Sequence, residues 1–255
     1  MDRWRTEIGA ATDGPHCHGS RLYATTGRSP RGYDHDIDTY LELGKKRVFA
    51  GALDWPGWCR GGRDRDSALQ ALLDYGERYA RVLRGSKVDF TAPTELHALR
   101  VVEELEGNAN TDFGAPSMAP TADGTAVGEA ELLRLASVLE ACWTAFDRSA
   151  DRARGKVLRT AGPRGGGRDV GKIVSHVHEA EHGYLSMLGR KVARGEDDEI
   201  TRTRKAMLDG LAAAAHGEVE AEGPRGGKRW SARHFARRVA WHALDHAWEI
   251  EDRLV

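Results

Sequence analysis

Hydrophobic and polar positions in the second half of the chain repeat with the period of a helix. Over 129–152, Leu132, Leu135, Leu139, Cys142 and Phe146 recur at alternating steps of three and four, which gathers them on one helical face. A second pattern runs over 168–188, with Val170, Ile173, Val174, Val177, Tyr184 and Leu188 as its stripe, and a third spans about 196–215. The fourth begins after Ser231, a residue suited to capping a helix N-terminus, and continues nearly to the last residue. GPRGGG at 162–167 and GPRGG at 223–227 break the patterns apart. Four amphipathic helices joined by polar loops predict a four-helix bundle over 128–255.

The first half reads differently. Residues 46–54 predict a strand, followed by a turn at Pro56-Gly57 and a short return through Trp58 to Arg60. Asp64 and Asp66 offer capping carboxylates to a helix reaching Leu83, with Leu69, Leu72, Leu73, Tyr79 and Leu83 at helical spacing. Residues 90–105 alternate loosely and fit either a strand or a short helix. The Asn-, Pro-, Thr-, Ala- and Gly-rich stretch that follows predicts a linker. Residues 1–38 show no apolar periodicity and predict a disordered leader. The expected organisation is therefore α+β: a leader at 1–38, a small ββα(β) domain at 39–106, a linker at 107–127 and an all-α bundle at 128–255.

Composition narrows the function classes. The 38 basic and 39 acidic residues leave a formal net charge of -1, so no global field recruits nucleic acid or an anionic membrane. No apolar run approaches the roughly 20 residues of a membrane span. Cys17, Cys59 and Cys142 are odd in number and widely spaced, which argues against a disulfide framework and for a cytoplasmic protein. The two glycine-rich loops could cradle an anion with help from Arg164 and Arg225. No phosphate-binding pattern surrounds them, and flexible connectors are the better reading.

The 11 histidines change the picture most, because imidazole is the commonest metal ligand. Histidines four apart share a helix face, and that many among 255 residues give about half of one such pair by chance. Two pairs fall on predicted helices, His178/His182 and His242/His246. On the last helix Phe235, Val239, Ala243, Ile250 and Leu254 define the apolar stripe. His246 falls near its centre and His242 on its rim beside Glu249. A core-facing histidine needs a partner, which a metal or a carboxylate from another helix would supply equally well. On the second helix His182 lies away from the stripe, while His176 and His178 flank it at similar angles, so periodicity does not choose between them. The His16-Cys17-His18 triplet has no predicted scaffold and reads as solvated tail.

VGKIVSHVHEAE at 170–181 resembles the second helix of the DinB-like (YfiT-like) metal-binding bundles, and RRVAWHALDHAWEI at 237–250 resembles their final helix. The likeness covers about half the chain. It implies one divalent metal held by one histidine of helix two and two of helix four, here His176, His242 and His246, with positions open to water or substrate. Three imidazoles suit Zn, Ni or Fe(II), and an open position implies catalysis. Glu249 or Asp245 could orient a ligand from behind, although plain exposed helix carboxylates are the better reading of both. The family includes S-transferases and isomerases that use small thiols such as mycothiol. The resemblance therefore implies a small-molecule substrate with a thiol co-substrate, and leaves a homodimer open. DWPGWCRGGRDRDSAL at 54–69 is similar to the strand–turn–helix signature of HicB-like antitoxin domains, with Ser67 departing from the usual acidic residue. Two other readings stand beside the enzyme. One is a metal-stabilised binding protein whose HicB-like unit engages a protein partner; the other is a bundle whose histidines are satisfied by carboxylates and bind nothing.

Overall fold

The computed structural model describes residues 37–159 and 167–254, which fall in one compact α+β unit. The expected leader (except Ile37 and Asp38), the His16-Cys17-His18 triplet and Arg164 lie outside the described residues. Among the described residues no helix is long and apolar enough to cross a membrane.

A four-stranded sheet forms from β1 (Ile37–Leu43), β2 (Val48–Ala52), β3 (Cys59–Gly62) and β4 (Leu99–Glu106), in the order β3-β2-β1-β4. The first three strands are antiparallel neighbours, whereas β4 lies parallel to β1 with a register shift at Thr39/Tyr40. The loosely alternating 90–105 stretch thus ends in a strand. The exposed face of β4 carries Arg100, Glu104 and Glu106 around Val102, and such charges suit an edge strand. Between β3 and β4 run α1 (Arg65–Asp74) and α2 (Gly76–Leu83), two helices where one was expected. Asp64 caps α1 by accepting from the Ser67 amide at 2.8 Å. Ser67 Oγ accepts from the Asp64 amide at 3.1 Å, so the residue that departs from the antitoxin pattern closes a capping box.

The stretch expected as a linker carries a short helix, α3 (Ala109–Phe113), and a 3-10 turn at Thr121–Gly124. Both are tied down. Buried Glu42 of β1 accepts from Thr111 Oγ1 at 2.5 Å, from the Ser117 amide at 3.0 Å and from the Met118 amide at 3.1 Å.

Four long helices follow: α4 (Glu129–Ala153), α5 (Val170–Met187), α6 (Glu199–Ala215) and α7 (Ala232–Arg253), and each touches the other three. Their stripes interlock through Leu139, Phe146, Ile173, Val177, Met207, Phe235 and Ile250, all buried. That core is continuous with the sheet's, through Leu41, Ala50, Trp58 and Tyr79.

One helix joins the two halves. The sequence pattern gives α7 a single apolar stripe, yet almost all its residues are buried, because the sheet unit covers the side that α4–α6 leave open. At the turn before β3, Gly57 adopts φ +93°, and a Cβ there would come within 3.0 Å of Leu244 and 3.1 Å of Ala240 on α7. Arg60 stacks 3.9 Å above the Tyr75 ring and lies 3.5 Å from Asp245. Buried Arg237 donates to the carbonyls of Ala52 and Leu53 at 2.8 and 2.9 Å and to Asp123 at 2.6 Å. Burial alone would raise the Asp123 carboxyl. Bonds from His234 and Arg237 outweigh it and hold that group below the ordinary carboxylate range.

Candidate metal centre

Two capped helices bring three imidazoles together. Asp169 accepts from the Lys172 amide at 2.8 Å and starts α5, which carries His176. Ser231 Oγ accepts from the His234 amide at 3.2 Å and starts α7, which carries His242 and His246 one turn apart. One ring nitrogen from each of the three lies within 4.8 Å of the others. The ring centroids are 4.7 Å apart for His242/His246 and 5.1 Å for His176 with either.

His246 is the informative member. It is fully buried, and its Nδ1 lies 2.8 Å from Glu249 Oε2, while Arg253 Nη1 donates to Glu249 Oε1 at 2.7 Å. Burial alone would raise the Glu249 carboxyl, but His246 and Arg253 outweigh that and keep it below its usual value, hence ionised. A carboxylate can only accept, so Nδ1 carries a proton, and in the neutral imidazole Nε2 is left with its lone pair. That Nε2 is buried and has no hydrogen-bond partner. Such an orphan costs about 1–3 kcal/mol unless something binds it.

The donor set fits a divalent ion of the zinc type. Metal–nitrogen distances of about 2.0–2.1 Å in a tetrahedron put ligand nitrogens about 3.3 Å apart. Nε2 of His176 and Nε2 of His242 stand 3.3 Å apart. Glu249 behind His246 supplies the outer carboxylate that such ligands usually have.

Among the described residues the remaining histidines do not join this cluster. His178, which periodicity left level with His176, is half-buried edge-on to Phe146, and burial holds its pKa down. His182 is exposed, with Glu199 at 3.3 Å. His216 pairs with Glu129 at 2.7 Å and His234 lies 3.5 Å from Asp123. Asp245, the alternative orienting carboxylate, pairs with Arg60 on the sheet side of α7. The 223–227 loop is a tight turn whose Gly223 and Gly226 amides bond to Gly227 and Gly223 carbonyls, so those two are not available to an anion. Cys59 and Cys142 are free and buried; burial pushes the Cys59 thiol up to about 12 and leaves it unreactive.

A cavity of about 500 Å³ opens over the histidines. His176, Tyr184, Arg238, Trp241 and His242 line it, Arg168 stands at its rim, and Asn110, Phe113 and Ala115 of the α3 segment form its far wall. Besides the two histidines, only Glu249, which also lines the cavity, was singled out from the sequence as belonging to a site. Arg238 was within reach, because it precedes His242 by four residues on one helix face. A larger cavity, about 740 Å³, lies between α2, α4 and the end of α7, but it holds no histidine or cysteine. Donor chemistry, not size, locates the candidate centre. No known protein family, curated protein or solved structure matches the chain.

Proposed function

We propose that α4–α7 are a DinB-like four-helix bundle that holds one divalent metal ion, Zn, Ni or Fe(II), on His176, His242 and His246. The bundle would serve a metal-dependent enzyme that moves a small thiol of the mycothiol type onto or off a small electrophile. The orphaned, buried Nε2 of His246 carries the reading, because it is held beside two further imidazoles by a Glu249–Arg253 pair. A bound ion of this kind lowers the pKa of a coordinated water or thiol and so supplies a nucleophile near neutral pH. The chain's own residues prepare the place. Glu249 fixes the tautomer and orientation of His246 and raises its basicity as a ligand. Trp241, Tyr184 and the α3 segment wall a cavity of small-molecule size.

Elemental analysis of the purified chain tests the metal, with about one Zn, Ni or Fe per chain expected, and none after replacing both His242 and His246 by Ala. A chain that contains none of these ions, takes up none on dialysis and unfolds at the same temperature with and without chelator would overturn the reading. Turnover of small electrophiles with mycothiol by the metal-loaded chain tests the reaction, and a rate indifferent to the thiol would exclude it.

A further inference from the structure

α7 carries four arginines, and three of them have carboxylate partners. Arg233 bonds Glu131, Arg237 bonds Asp123 at 2.6 Å and Arg253 bonds Glu249 at 2.7 Å. The fourth, Arg238, has no acidic partner among the described residues. Its one hydrogen bond is a marginal one, Nη2 to Tyr184 Oη at 3.5 Å, and its Nη1 is buried with no partner at all. It is also the only one of the four that lines the cavity over the histidines.

A guanidinium is costly to bury unpaired, since charged donors lose strong water bonds. Here the group is held between aromatic rings, 5.0 Å from the centroid of Trp241 and 5.7 Å from that of Tyr184. The rings favour the cation through their faces, which take up none of its N–H donors. Among the described residues no anion competes for its N–H groups: Glu249, the one acid lining the cavity, has both oxygens taken by His246 and Arg253. A second cation, Arg168, stands at the rim.

We propose that this cavity takes a small carboxylate ligand whose carboxylate seats on Arg238 while its other end reaches toward His242. Arg238 precedes His242 by four residues, about 6 Å along the helix axis. A ligand spanning that step has its reacting atom a few bonds from the carboxylate, and about 500 Å³ admits a molecule of that size. A planar fork of N–H groups matches a carboxylate in two parallel bonds, which a lysine would not. The role of the far end rests on the metal reading above; the seat on Arg238 does not.

Benzoate and its uncharged isostere benzamide are suitable probes, titrated by calorimetry into the full chain and into H242A/H246A. Benzoate is expected to bind both, and benzamide at least tenfold more weakly. Arg238→Gln should lower benzoate affinity at least tenfold with metal content unchanged, and Arg238→Lys should restore it only in part. Equal binding of the two probes, no benzoate binding, or unchanged affinity in Arg238→Gln overturns the proposal. So does benzoate binding that is lost in H242A/H246A, because the carboxylate would then sit on the metal. A chain without metal that still prefers benzoate refutes the metal reading and leaves this one standing. The comparison of the two probes on the unaltered chain needs no variant to fold.

Discussion

Glu181 on α5 is 2% exposed, and neither of its carboxylate oxygens has a hydrogen-bond partner. The nearest cation, Arg204, keeps its Nε 3.7 Å away and gives both terminal nitrogens to Asp147 at 2.5 and 2.8 Å. Burial therefore wins over the attraction of Arg204 and the nearby Trp143 indole, with a smaller push from Asp147, and the Glu181 carboxyl rises from 4.5 to about 7. The folded chain holds this proton where the unfolded chain has released it. Below the unfolded value both forms are protonated, and the group's contribution to stability is fully present. As pH rises toward 7 the unfolded state gains by ionising first, and that contribution is lost. A raise of this size corresponds to about 3 kcal/mol over the window. Glu181→Gln keeps the shape, cannot ionise and leaves the Arg204–Asp147 pair in place. Urea unfolding of both proteins from about pH 4 to about pH 8, at fixed salt and metal content, isolates the effect, because other groups cancel in the difference. The variant should match the parent at the acid end and exceed it by up to about 3 kcal/mol at the alkaline end. A difference that stays flat, or a variant less stable at high pH, would show that Glu181 is ionised and paired in the fold.

Asp123→Ala removes the partner of a buried guanidinium and should cost about 3–5 kcal/mol in chemical unfolding. Arg237→Met added to it should lose less than the two single changes together, by a double-mutant cycle. Glu249→Gln keeps the shape behind His246 but not the charge. Its affinity for Zn, read by competition with a chromogenic chelator, should fall about 10–100-fold.

The four long helices were legible to within about three residues because burial on α4–α6 follows one stripe and glycine-proline loops interrupt the pattern. The strand β1 was not, although it lies at the heart of the sheet unit. Its Thr39 and Glu42 are buried where a covered strand should read as a continuous apolar run. Glu42 is tolerated there because Thr111 and two amides 75 and 76 residues away satisfy it, and no local pattern reports so distant a partner. The same blindness made a linker of 107–127, whose Thr111 and Asp123 look solvated and are buried. At the site, the central phase of His246 was visible in the sequence. The choice of His176 over His178 was not, since both flank the α5 stripe and only the rotation of α5 against α7 separates them.

Arg237 and Arg238 show how the two halves of the molecule depend on each other. Successive residues on a helix differ by about 100°. Arg237 therefore turns to the sheet unit and bonds the Ala52 and Leu53 carbonyls, while Arg238 turns to the cavity. Held from the sheet side, α7 keeps Arg238, His242 and His246 at a fixed height against α5. The sheet unit also anchors the α3 segment through Glu42, and that segment supplies the cavity's far wall through Asn110, Phe113 and Ala115. Without the first half of the chain the three histidines would keep their helices, but the cavity would lose a wall and Arg237 of α7 would lose Asp123 and the Ala52 and Leu53 carbonyls. The sheet unit is thus part of the site's construction, and a chain cut to 128–255 would not reproduce it.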